Sequence, residues 1–191
     1  MLFQSPGPEL RNITRMDIKE ELLKQKIHFK ADAMRITEYA CSSAKRFKEL
    51  MNCFLSNEYR LAQRAAWSVS WAARSKPGLV NPYIKDLVAQ LQRTDVHNAV
   101  IRNSVRILED IEIPEEFHAD VMNACFMFVE NPTTPAAIKA FSLTTLFNLS
   151  KFYPEIKSEL KLIIQERMDN ETAAFKSRGK KILGIMMKQQ P

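Results

Sequence analysis

With 191 residues, 46% of them hydrophobic and 26% charged, the chain has the length for one domain or a short repeat array and the make-up of an ordinary globular protein. Its four glycines exclude a chain of many β-hairpins and a glycine-rich phosphate loop, both of which need residues free of a Cβ. The formal charge of +6 is uneven: from Glu171 onward five basic side chains face one acidic, and everything before nets only +2, so no uniform polyanion-binding surface is implied.

Residues 1–15 show no sustained period and contain Pro6, Gly7 and Pro8, the pattern of a flexible leader or extension. A single domain is expected over 16–191. Its first helix is read over 17–26, with acids in the first turn and lysine in the last, matching the helix dipole. Helices follow over 31–42, around Ala33, Ile36 and Ala40, and over 45–55, where Phe47, Leu50, Met51 and Phe54 recur at helical spacing. Ser56 and Asn57 offer an N-cap for a helix over 58–74. On its wheel Arg60, Arg64, Trp67, Trp71 and Arg74 share one face, and Ala62, Ala65, Ala66, Val69 and Ala73 form a small-residue stripe opposite.

Pro77 and Gly78 end that helix, and Pro82 sits at the start of the next, which carries Ile84, Leu87, Val88 and Leu91. Thr94 and Asp95 cap a helix to about residue 112, and Pro114, Pro135 and Pro154 each stand at the head of another. Asn170 caps the last helix, over 171–188. Proline at helix starts rather than inside them fixes this segmentation, and no strand-like alternation survives it.

Overlaying the helices gives a register. Arg64, Arg102, Lys139 and Lys176 fall at matching places, inside AQRAAWSVSW, VIRNSVRILE, AIKAFSLTTL and AFKSRGKKIL. A two-helix unit recurring at just under 40 residues marks a helical solenoid. With Glu58, Asp95, Thr133 and Asn170 leading these Arg/Lys positions by six or seven residues, the chain resembles the HEAT-repeat family. The resemblance implies an all-α, right-handed α–α superhelix of about four helix pairs, over 45–74, 79–112, 114–152 and 154–188, preceded by two N-terminal helices. It also implies that the Arg/Lys column ties repeats together through hydrogen bonds to inter-helix loops.

Beside that structural role stands a basic ladder on the inner helices, which could meet an acidic partner helix or a phosphate backbone. The candidate binding face is Arg60, Arg64, Trp67, Trp71, Arg102, Arg106, Lys139 and Lys176. For Trp71 the register gives Leu146 and Leu183 in two copies and Glu109 in one, so core packing is expected, with an exposed Arg–Trp surface as the alternative. The acids between Glu109 and Asp120 straddle a turn and a first helical turn, where the dipole alone accounts for them. His28, His97 and His118 are isolated, Cys41, Cys53 and Cys125 form no CxxC, and the serines lack an elbow motif, so neither metal, cofactor nor catalytic set is read. No membrane span or signal peptide is legible, which makes the cytoplasm the expected location, with buried reduced thiols.

The expected function is a non-catalytic scaffold that binds another macromolecule, most plausibly a protein, through its inner helices. The alternative is a nucleic-acid-binding relative of the DNA-alkylation-repeat glycosylases, which are also HEAT-like. A helical lyase is discounted because the flexible Gly-Ser loop and the Met-Pro-Lys-Asn run of those enzymes are missing.

Overall fold

A computed structural model describes residues 16–188, and the leader read over 1–15 lies outside the described residues. Ten α-helices follow one another: α1 (Ile18–Leu23), α2 (Lys30–Ala40), α3 (Ala44–Phe54), α4 (Tyr59–Ser75), α5 (Ile84–Leu91), α6 (Asn98–Leu108), α7 (His118–Glu130), α8 (Ala136–Leu149), α9 (Ile156–Arg167) and α10 (Ala173–Lys188). Among the described residues there is no strand.

Local chemistry explains most of the starts. Asp17 Oδ1 accepts from the Glu20 N–H at 2.9 Å and closes the head of α1. Ser43 Oγ does the same for α3, accepting from the Arg46 N–H at 3.3 Å. Pro135 precedes α8 with the fixed φ that suits a helix entrance. Pro77, Pro82 and Pro114 are followed not directly by α-helix but by one turn of 3-10 helix or lie within one, so α5 and α7 begin several residues later than the prolines alone indicate. Asp95 is likewise not the cap of α6. The Arg93 guanidinium donates to both its carboxylate oxygens, at 2.9 and 2.6 Å, holding it outside the helix. His97 takes its place, its Nδ1 accepting from the Ala99 N–H at 2.8 Å.

The helices pack in two rows. α2, α4, α6, α8 and α10 touch in succession and form an inner row, while α3, α5 and α7 lie along its flank against α4, α6 and α8, with α9 against α8. α4 is central to the first half because its stripe of Ala62, Ala65, Ala66, Val69 and Ala73 is buried, which lets α2, α3 and α6 approach its backbone. Close approach shows in the polar contacts: Ser68 Oγ of α4 donates to the Ala33 carbonyl of α2 at 3.1 Å, and Thr37 Oγ1 lies 3.2 Å from the Ser68 carbonyl. At the other end Gly179 serves the same purpose, since a Cβ there would stand 2.8 Å from Ile164 Cγ2 of α9.

One continuous core runs through these layers, from Leu22 and Ile36 through Phe47, Phe54, Leu87 and Leu108 to Leu143 and Phe175, all nearly or fully buried. Burial of each such side chain contributes roughly 1.5–3 kcal/mol, and truncating Phe54 to alanine would cost about 3–5 kcal/mol through the cavity left behind.

Candidate recognition groove

The N-terminal halves of α4 and α8 flank α6 in the inner row, and with one face of α6 and the α1–α2 connection they line a groove of about 1000 Å³. α4 contributes Tyr59, Arg60, Gln63, Arg64 and Trp67; α6, with its His97 cap, contributes Ala99, Arg102, Asn103 and Arg106; α8 adds Ala137 and Phe141. Lys26 and His28 close the end near α1. Residues four apart on one helix face recur here, as in Arg60–Arg64 and Arg102–Arg106, so the groove inherits its charge directly from helical spacing.

Five cations line it, and no carboxylate does. Their surroundings differ. Arg64 is 7% exposed and donates to the Leu22 carbonyl at 2.6 Å and the Lys26 carbonyl at 2.8 Å, satisfying the end of α1. Burial and then the neighbouring Arg60 push its guanidinium below its ordinary pKa. Arg60 reaches the Lys26 carbonyl at 3.1 Å from a more exposed position. Arg102 is exposed and, among the described residues, bonds to nothing. Arg106 lies over the Phe141 ring at 5.6 Å with its Nε buried and unpartnered. Burial first, and then Arg74, push its pKa down.

The two histidines are held toward their neutral forms. Burial, with Arg102 adding to it, lowers the pKa of His97, whose Nδ1 accepts from the Ala99 N–H and whose Nε2 lies 3.0 Å from Gln63 Nε2. Burial also lowers the pKa of His28, whose ring meets Trp67 edge-on at 6.3 Å.

Of the eight residues read as a binding face, the structure brings together Arg60, Arg64, Trp67, Arg102 and Arg106. It places the other three elsewhere. Lys139 is buried, donating to Glu171 Oε1 at 2.5 Å, and its Nζ lies 3.5 Å from the Pro132 carbonyl. Lys176 donates to the Asp169 carbonyl at 3.0 Å. Both lysines therefore tie down the loop that leads into their own helix, the structural role of the column. Trp71 does not line the groove; it is partly buried beneath the Lys30 ammonium, 5.6 Å from its ring, with its indole N–H buried and unpartnered. The core packing expected for Trp71 from the register is therefore only partial.

The family model described as HEAT repeat domain matches residues 19–186. The chain belongs to the HEAT-repeat family. No curated protein and no solved structure matches it. The all-α two-row packing is thus that of a HEAT-repeat domain, and the groove is a feature of this HEAT chain's inner row.

Several groove residues escaped the sequence reading. Tyr59 and Gln63 were legible in principle, one residue ahead of Arg60 and Arg64 on the same turn. Phe141 had a signal too: in register it stands where α4 and α6 have the buried Ala66 and Ser104, so a large ring replaces small residues and props up Arg106. His97 had none, because its place depends on where α6 starts.

Chemistry elsewhere is muted. Cys41, Cys53 and Cys125 are free and buried, and burial pushes the Cys53 thiol up to about 11 and that of Cys125 to about 12. His118 is buried, its Nε2 donating to the Ile113 carbonyl at 2.7 Å and its Nδ1 facing the Tyr153 hydroxyl at 3.1 Å. Among the described residues no three His, Cys, Asp or Glu side chains lie close enough to hold a metal ion, and no helix is long and apolar enough to cross a membrane.

Proposed function

We propose that this chain is a non-catalytic HEAT-repeat scaffold that binds another protein through the groove formed by α4, α6 and α8. The observation that carries the reading is the lining itself: five cations and several aromatic rings, with no carboxylate or thiol among them. The lining's two histidines, His28 and His97, have no serine, cysteine or carboxylate beside them in it to activate or to orient them. A binding surface instead needs Arg and aromatic anchors held in place, and Trp67, Arg102 and Arg106 are of that kind.

An affinity pull-down from native lysate tests it. Arg60→Glu and Arg102→Glu reverse groove charges on side chains that are exposed, so the fold is left intact. Wild-type protein is expected to recover a partner that both variants lose, and equal recovery by all three would reject the groove. Arg64→Glu is unsuited to this purpose, because Arg64 holds the end of α1.

A second reading, a nucleic-acid groove, draws on the same cations and on Trp67 and Tyr59 as stacking platforms. Absence of DNA binding at about 50 mM salt, where phosphate contacts are strongest, would remove it.

A further inference from the structure

Resting on the groove reading, we infer that the occupant is a short acidic segment of the partner protein, carrying carboxylates on either side of one large apolar residue. The carboxylates meet Arg60, Arg102 and Arg106, and the apolar residue meets Trp67 and Phe141.

Charge pairing argues for the acidic character. Several cations outside the groove have carboxylate partners, among them Lys19 with Glu58, Arg35 with Glu21, Arg74 with Asp110, Lys139 and Arg167 with Glu171, and Arg178 with Glu109, while others, such as Lys85 and Lys180, stand singly in solvent among the described residues. Inside it, none of Lys26, Arg60, Arg64, Arg102 and Arg106 pairs with a carboxylate among the described residues. The helices add to this potential at two points: α4 and α8 present their N-terminal halves, and so the positive ends of their dipoles, to the groove, while α6 lies along it as far as Arg106 in its last turn. Five like charges with no carboxylate in the lining repel one another, which an incoming anion relieves.

Arg106 supplies the anchor. Its guanidinium rests over Phe141 with Nε buried beneath it, so the flat cation is fixed while its two Nη groups, which bond to nothing among the described residues, remain free to donate. An Arg held this way is preorganised for a two-pronged bond to a carboxylate, a geometry a lysine could not reproduce.

Extent decides between a peptide and a nucleic acid. Three inner helices at interaxial distances of about 8–10 Å give a groove roughly 20 Å long. That is the reach of about six extended residues. Close to the groove some cations are neutralised, Lys19 and Arg35 by Glu58 and Glu21 and Arg178 by Glu109. A nucleic-acid strand, charged at every nucleotide, gains most from a long continuous run of free cations, whereas an acidic segment of about six residues fits within the five that line the groove.

The test is fluorescence anisotropy with a fluorescein-labelled peptide of about eight residues, alternating Glu and Asp around one central Phe, titrated with the full chain at about 50 mM salt. Saturable binding is expected, weakened at least tenfold by Arg106→Gln and by Arg102→Gln, and unchanged by Lys85→Gln on the exposed flank of α5. Circular dichroism of each variant separates lost binding from lost folding. No saturable binding of the peptide, or equal affinity of the Arg106→Gln protein, would overturn the inference. So would displacement of the peptide by an oligo-thymidine of about twelve nucleotides at lower concentration than by unlabelled peptide. Failure here alongside a lysate partner that Arg102→Glu loses would reject the acidic segment and leave the groove standing. Failure of both would reject the groove as well.

Discussion

Arg64 and Arg102 stand one repeat apart at the same register position, yet their surroundings give them different tasks. Arg64 directs two N–H groups at the Leu22 and Lys26 carbonyls and is almost wholly buried, whereas Arg102 is exposed in the groove. Removing the first leaves the Leu22 carbonyl of α1 without its charged donor and the Lys26 carbonyl with Arg60 alone. Arg64→Met is therefore expected to lower the unfolding free energy by about 2–3 kcal/mol, while Arg102→Met stays within about 0.5 kcal/mol of wild type. Urea denaturation of the two variants measures both, and equal losses would mean that the column has one function throughout. The chain pattern located this column but could not divide it. Whether a long cation turns to a carbonyl or to solvent depends on where the preceding loop runs, and that is set by tertiary packing rather than by spacing.

At the scale of elements, the junction of α8, α9 and α10 is held by one carboxylate. Glu171, just before α10, accepts from Lys139 of α8 at 2.5 Å and from Arg167 of α9 at 3.3 Å, and the Lys139 and Glu171 side chains are only 4% and 8% exposed. Burial by itself pushes the Glu171 carboxyl up, but the bonds from Lys139 and Arg167 outweigh it and hold its pKa below the ordinary glutamate value. A carboxyl with a depressed folded pKa contributes stability that is complete above its unfolded pKa, about 4.3, and is lost as pH falls through the folded value. Stability followed by urea titration is thus expected to drop below about pH 4.5. Glu171→Gln should flatten that drop and, by leaving the Lys139 ammonium buried and unpaired, cost about 3 kcal/mol at neutral pH. An unchanged acid slope in the variant would place the linkage elsewhere. Element existence was legible from apolar spacing and the prolines, and all ten helices lie within a few residues of their expected spans. Element ends were not: α6 was expected to reach about residue 112 and stops at Leu108, and its start shifts because the Arg93–Asp95 clamp holds a good capping residue out of reach.

For the whole molecule, the two-row packing turns separate helix faces into one surface. The sequence pattern listed Arg60, Arg64, Trp67, Arg102 and Arg106 together, and the structure places all five in one groove because α4 and α6 pack side by side in the inner row. Lys139 and Lys176 belong to the same pattern and drop out, since beyond α6 the column is absorbed by Glu171 and by a loop carbonyl. Periodicity reports which residues share a face of a helix. It carries no information on which loop groups fold back onto that face, and this is what takes Lys139 and Lys176 out of the groove. The central claim is that this groove is where the partner lands. Photo-crosslinking tests it most directly, with benzoylphenylalanine placed either at Gln63, in the groove, or at Asn123, exposed on α7. The account predicts that irradiation in lysate yields one discrete adduct from Gln63 and none of the same mass from Asn123. The same adduct from both positions, or from Asn123 alone, would contradict it.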